Sequence, residues 1–211
     1  MNSIVISKIQ KRFNRKTIFQ DVSFDVTAGD VFGIIGRNGS GKSTLLKIIA
    51  GVLAPSNGSV EYRLRDRTVA SEYVFQSMGF LSPYLQLFDE FSAFENIRLF
   101  ARIRNISLST LKIEGLLDRV GLPKERKDPI RGYSSGMKQR MKVIFAILHE
   151  PKFLLLDEPT TNLDSDGTAM VYSIVEEFRK QGCVLIATND RSDIDQCNAF
   201  FNLNTGQLES A

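Results

Sequence analysis

Over the first thirty residues apolar and polar positions alternate, with Val22, Phe24 and Val26 on one side of the chain and Ser23, Asp25 and Thr27 on the other. A period of two sends side chains to opposite faces of a strand. This stretch therefore predicts half-buried antiparallel strands that end in the turn Ala28-Gly29-Asp30. Val60, Tyr62 and Leu64 alternate with Glu61, Arg63 and Arg65 in the same way, and the two stretches together predict a small β lobe. Three other runs differ. VFGII (31–35), FLLL (153–156) and CVLIA (183–187) are almost continuously apolar, as in parallel strands covered on both faces. Helical spacing follows the first two of them. It covers 42–50, stopped by Gly51, and about 166–180, where Val171, Ile174, Val175 and Phe178 form one stripe. Strand-then-helix order predicts a parallel sheet that binds its ligand at the carboxyl ends of the strands.

The middle of the chain, 86–149, reads as helical. Ile113, Leu116, Leu117 and Val120 keep the i, i+3, i+4, i+7 spacing of an amphipathic helix ended by Gly121 and Pro123, and Met141, Ile144, Phe145 and Leu148 repeat it. Composition narrows the function classes. The chain has 211 residues, 43% apolar and 24% charged, enough to bury a core without staples. A net charge of +3 supplies no basic footprint for nucleic acid. Two cysteines, Cys183 and Cys197, have no metal-ligand spacing and suit a reducing compartment. The opening residues lack a secretory leader pattern, and runs such as VIFAIL are far short of the roughly 18 residues that span a bilayer.

Candidate chemistry starts with Gly36-Arg37-Asn38-Gly39-Ser40-Gly41-Lys42-Ser43-Thr44, which satisfies G-x-x-x-x-G-K-[ST] after a buried strand and at a helix start. The glycines let backbone N–H groups wrap a phosphate, and the helix N-terminus adds partial positive charge. Lys42 is expected on the β- and γ-phosphates, with the Ser43 hydroxyl on Mg²⁺. The run FLLL delivers two adjacent carboxylates at a strand end. Asp157 is expected to anchor Mg²⁺, either directly or through a bound water, and Glu158 to polarise the attacking water.

With these halves in place the chain resembles the ATP-binding-cassette (ABC) ATPases over nearly its whole length. Tyr133-Ser134-Ser135-Gly136-Met137-Lys138-Gln139-Arg140 resembles the family signature, and FLLLDEPTTNLD (153–164) resembles its strand-end carboxylates running into the loop Thr161–Asp164. The resemblance is to the compact exporter cassettes, those of the haem-exporter type among them. It implies a single α/β domain: a P-loop parallel-sheet core with an antiparallel β lobe in 1–85 and 150–211, and an inserted helical lobe in 86–149. It implies ATP and Mg²⁺ as cofactors and a head-to-tail dimer, either with itself or with a second cassette. In that pair Ser134, the Gly136 backbone and the N-terminus of a helix over 137–149 would reach the γ-phosphate held by the partner copy. A multi-span membrane permease is the implied partner, holding the subunit at the cytoplasmic face. Phe13 matches the aromatic position on which adenine stacks, although an aromatic in a β lobe is more often core.

Three departures matter. Ser135 and Met137 replace the usual Gly and Gln of the signature. Pro83 stands where the Mg²⁺-sensing glutamine aligns, leaving Gln86 as the first candidate and Gln76 as the second. Asn189 replaces the usual γ-phosphate-contacting His; it can donate a hydrogen bond but carries no charge, which predicts slow turnover with Glu158 intact. His149, the one histidine, is expected at the polar end of its helix. Eight aromatics between Tyr73 and Phe100 fill the helical lobe or line a groove for a helix of the permease. A regulatory cassette with little hydrolysis, and a non-transport cassette acting on DNA or the ribosome, are the alternative functions.

Overall fold

The computed structural model describes residues 1–124 and 128–210. Strands β1 (Ser3–Phe13), β2 (Lys16–Thr27) and β3 (Val31–Ile35) lead into helix α1 (Lys42–Ile49). Next come β4 (Asn57–Leu64), β5 (Arg67–Val69), the short α2 (Ser71–Val74) and β6 (Met78–Leu81). Helices α3 (Ala93–Ile103), α4 (Thr110–Arg119) and α5 (Ser135–Ile147) follow. The chain closes with β7 (Phe153–Asp157), α6 (Ser165–Arg179), β8 (Cys183–Thr188), α7 (Arg191–Ile194), β9 (Ala199–Asn202) and β10 (Gln207–Ser210).

Two sheets result. One is antiparallel, ordered β2-β1-β4-β5, and in it Val22, Phe24 and Val26 are buried while Ser23 and Asp25 are exposed, as the alternation predicts. The other is ordered β10-β9-β3-β8-β7-β6; its strands are parallel from β9 to β6, with β10 antiparallel at one edge. All residues of β7 and β8 are buried, which is why their sequences show no alternation. The apolar-run criterion misses β6 and β9. Each has four residues, and β9 has one fully buried position, so neither leaves a run long enough to read.

Successive residues of the parallel strands enter two different cores. Leu154, Leu156, Val184 and Ile186 point to one face, against Met141, Ile144, Val171 and Ile174 of α5 and α6. Phe153, Leu155, Leu185 and Ala187 point to the other, against Leu45, Leu46 and the apolar face of the antiparallel sheet. A fully buried Leu or Phe contributes about 1.5–3 kcal/mol, so the sheet is held from both sides by many such terms. The Tyr62 hydroxyl donates to Ile49 O at 2.7 Å and ties β4 to the end of α1.

Side-chain caps set the helix starts. Ser92 and Glu95 form a reciprocal capping box on α3, while Ser109, Ser134 and Asp164 cap α4, α5 and α6. The cap at Ser134 explains why α5 begins at Ser135, two residues before the sequence expectation. The aromatic cluster divides: Phe94 is buried and Phe100 stacks on Phe145 at 4.3 Å, whereas Tyr73, Phe75, Tyr84, Phe88 and Phe91 are exposed.

Candidate active site

The carboxyl ends of β3, β7 and β8 lie side by side, with Ile35 beside Thr188 and Asp157 beside Ala187. Each strand releases one chemical segment there: residues 36–44 after β3, Asp157-Glu158 at the end of β7, and Asn189 after β8. The cradle depends on glycine at two points. A Cβ on Gly36 would lie 2.6 Å from Ser40 Oγ, and one on Gly41 would lie 2.6 Å from Ile18 Cγ2 and 2.9 Å from Phe19 Cδ1 in β2. Both have positive φ, 152° and 105°, which L side chains rarely adopt. Gly41 caps α1 without a side-chain bond, so the first N–H groups of the helix face the cradle with no internal side-chain partner.

Lys42 is nearly buried. Its Nζ donates to Gly36 O at 2.9 Å and sits 3.5 Å from Glu158 Oε1. Ser43 Oγ donates to Asp157 Oδ1 at 2.9 Å, while Asp157 Oδ2 is buried with no hydrogen-bond partner. A buried carboxylate oxygen without a partner, next to a serine hydroxyl, is the donor chemistry that Mg²⁺ selects. Among the described residues no group of three or more His, Cys, Asp or Glu could hold an ion unaided. Phosphate oxygens and water would have to complete the shell, as is usual for Mg²⁺.

Burial raises the pKa of Asp157, opposed by its bond from Ser43 and by the charges of Lys47 and Lys42. Burial also raises Glu158; Lys42 opposes that rise and Asp157 reinforces it. A carboxylate pushed upward is a stronger base toward water. Glu158 has φ of 50°, a left-handed conformation that a side chain adopts only when its surroundings hold it there, and its N–H donates to Ala187 O at 2.8 Å.

The remaining residues separate into those that join this cluster and those that do not. The Asn189 amide donates to Asn38 Oδ1 at 3.0 Å, which ties the end of β8 to the cradle. Phe13 is 47% exposed with Lys11 Nζ 4.8 Å over its ring, so it is not core. It ends a strand whose Lys11 pairs with Phe19, the residue packed on Gly41. Gln86 and Gln76 do not join. Gln86 is exposed in a groove with Ser135, Lys138, Gln139 and Asn162, and Gln76 is exposed on the cleft that holds His149. The buried polar residue at the β6 end is Ser82, which follows Leu81, itself paired with Leu156. His149 also departs from expectation: it is half-buried, its Nε2 lies 2.9 Å from Met78 O, and burial and then the Arg104 charge lower its pKa to about 4.

Ser134 is exposed, and its Oγ accepts from Met137 N at 3.2 Å. A Cβ on Gly136 would lie 2.9 Å from Asn162 O, so the signature turn packs on the loop after β7. Ser135 is exposed, so its side chain crowds nothing within its own chain. Sequence reasoning missed the groups that hold this loop: buried Gln139 Nε2 donates to Pro159 O at 3.0 Å, and Arg140 pairs with Asp164 at 2.9 Å. Their signal, a polar residue one turn into an amphipathic helix, reads as a solvated face.

Comparison with known proteins agrees with this geometry. A family profile described as ABC transporter matches residues 19–161. The ABC transporter ATP-binding protein YybJ of Bacillus subtilis is 31% identical over 99% of this chain and 95% of its own length. The lantibiotic transport ATP-binding protein SrtF of Streptococcus pyogenes is 32% identical over 92% of this chain and 83% of its own. A solved dimeric ATP-binding cassette in a post-hydrolysis state, with ADP and phosphate bound, superposes with a TM-score of 0.84 at 20% identity, covering 98% of each chain. The profile match and the relatives over 30% identical agree with the cradle and strand-end carboxylates: the chain belongs to the ABC transporter family, as one of its ATP-binding proteins.

Proposed function

We propose that this subunit hydrolyses MgATP between two cassettes packed head to tail and so drives a separate membrane permease, with export as the direction. The observation that carries the reading is the contact of Lys42 Nζ with Glu158, 3.5 Å apart, beside the Ser43–Asp157 bond. It brings an ammonium group, a carboxylate and a hydroxyl–carboxylate pair together beside one helix start. Ser43 and Asp157 would hold Mg²⁺, which would neutralise charge on the phosphate oxygens. Lys42 binds the β- and γ-phosphates, exchanging the Gly36 carbonyl for them, and releases Glu158 to orient water. Asn189 uses one of its two N–H donors on Asn38 and keeps the other for the γ-phosphate. Phe13 stacks adenine from the β-lobe side. Ser134 and Gly136 of a second copy close the site.

The exposed aromatics Tyr73, Phe75, Tyr84, Phe88 and Phe91 support a partner surface. So does a cleft of about 890 Å³ lined by Phe75, Phe100, Ile103, Arg104 and Leu148. Among the described residues no helix is long and apolar enough to cross a membrane. In this reading the permease holds the subunit at the cytoplasmic face. SrtF, named for lantibiotic transport, supports the transporter role, and export is kept from the resemblance to compact exporter cassettes. The test is the mass of purified Glu158→Gln protein by sedimentation with and without MgATP. A dimer that forms only with MgATP supports the reading; protein that stays monomeric at saturating nucleotide overturns it.

A further inference from the structure

A buried carboxylate that touches neither the cradle nor the metal pair joins the two loops that carry Glu158 and Asn189. Asp193 of α7 is 0% exposed. Its Oδ1 accepts from Tyr172 Oη of α6 at 2.9 Å and from Thr160 Oγ1 at 3.1 Å, and its Oδ2 accepts from Thr188 Oγ1 at 2.8 Å. Three hydroxyls from three separate segments converge on one side chain. This satisfies a group that would otherwise be strongly destabilising in the interior.

Two of the three donors are next to catalytic loops. Thr188 ends β8, and its Oγ1, while donating to Asp193, also accepts from Asp190 N–H at 3.0 Å. One hydroxyl thus holds the backbone on both sides of Asn189. Thr160 lies two residues after Glu158, in the turn closed by Thr161 N–H on Glu158 O at 3.3 Å. The strands themselves hold Asp157 and Ala187 in register, but beyond them the chains diverge into loops that the sheet no longer controls.

We infer that Asp193 is a positioning residue for hydrolysis, fixing the loop of Asn189 relative to the loop of Glu158 through Thr188 and Thr160 without touching nucleotide. The inference rests on the proposed ATPase reading. Its effect falls on the geometry of the reacting groups, where a shift of about 1 Å can change rate by about 10². Nucleotide affinity, set mainly by the cradle, is left nearly unchanged.

The experiment measures kcat, KM, MgATP affinity and melting temperature for Thr188→Val and Thr160→Val, near-isosteric changes that each remove one arm. Ser109→Ala, which removes the α4 cap far from the site, serves as a control for lost stability. The expected result is a kcat at least tenfold lower in both threonine variants, with KM and affinity within threefold of wild type. Ser109→Ala should melt at a comparably reduced temperature and keep kcat within twofold. Threonine variants with wild-type kcat, or a kcat loss that Ser109→Ala shares, overturn the positioning role. Wild-type protein that hydrolyses no faster than Glu158→Gln overturns the ATPase reading itself, and the positioning role with it.

Discussion

The cradle side of the molecule and the signature side are built to opposite plans. Lys42 and Asp157 are buried, their partners come from the segments that follow β3 and β7, and glycine is required sterically at Gly36 and Gly41. Ser134 and Ser135 are exposed, and the Ser134 hydroxyl is used to cap its own helix. The first side is complete within one chain; the second offers a helix N-terminus to solvent. A charge-binding surface of that kind gains strength only when water is excluded from it, which a second protein surface can do. Under the proposed function the difference teaches that binding and hydrolysis are separable: one copy would suffice to hold nucleotide, and closure would need two.

The largest expected effect tests the cradle's chemistry. Glu158→Gln should lower kcat by about 10²–10⁴ while MgATP affinity stays within a few-fold, measured by phosphate release and titration calorimetry. Lys42→Ala comes next: removing a charge-assisted phosphate contact should weaken MgATP binding about 100-fold, on the order of 2.7 kcal/mol. Ser134→Ala sharpens the contrast most directly. Steady-state hydrolysis should fall about tenfold or more, with binding to dilute monomer unchanged. A loss of monomer affinity as large as that of Lys42→Ala would break the distinction between the two sides.

Smaller effects follow. Asn189→His should raise kcat about three- to tenfold, because an imidazole can carry the charge that an amide cannot; no increase would remove the case for slow turnover. The smallest effect lies behind β6, away from both sides. His149 ordinarily titrates near 6.5 and is held to about 4 by burial and by Arg104. Between these values the unfolded chain binds a proton that the folded chain does not. Stability is therefore lost as pH falls from about 6.5 to about 4, and no more is lost below that. Allowing for solvent screening of a half-buried ring, the loss is about 1–2 kcal/mol. Denaturant melts at pH 7 and pH 5 should show this slope in wild type and a shallower one in His149→Gln.

Much of the cradle was legible because its chemistry is local. Gly36 to Thr44 is one contiguous turn and helix start, and Asp157-Glu158 ends a run that is apolar because β7 is covered on both faces. The Asp193 cluster was not legible. Thr160, Tyr172, Thr188 and Asp193 have no common spacing, and each alone reads as an ordinary loop or helix residue. Gln86 was harder to place from sequence: it lies exposed on the loop after β6, and Ser82 is the buried polar residue at the strand end.

The sequence by itself determined the strand and helix periods, the phosphate cradle, the paired carboxylates and the absence of a charge on Asn189. These follow from neighbours along the chain, where sterics and spacing act directly. Only the tertiary structure decided which of the aromatics are buried, that burial lowers the pKa of His149, that both glutamines are exposed, and that Asp193 ties the loop after β7 to the end of β8. Those outcomes depend on which surfaces meet when β3, β7 and β8 align. Burial and hydrogen bonding then act between residues that the chain keeps far apart.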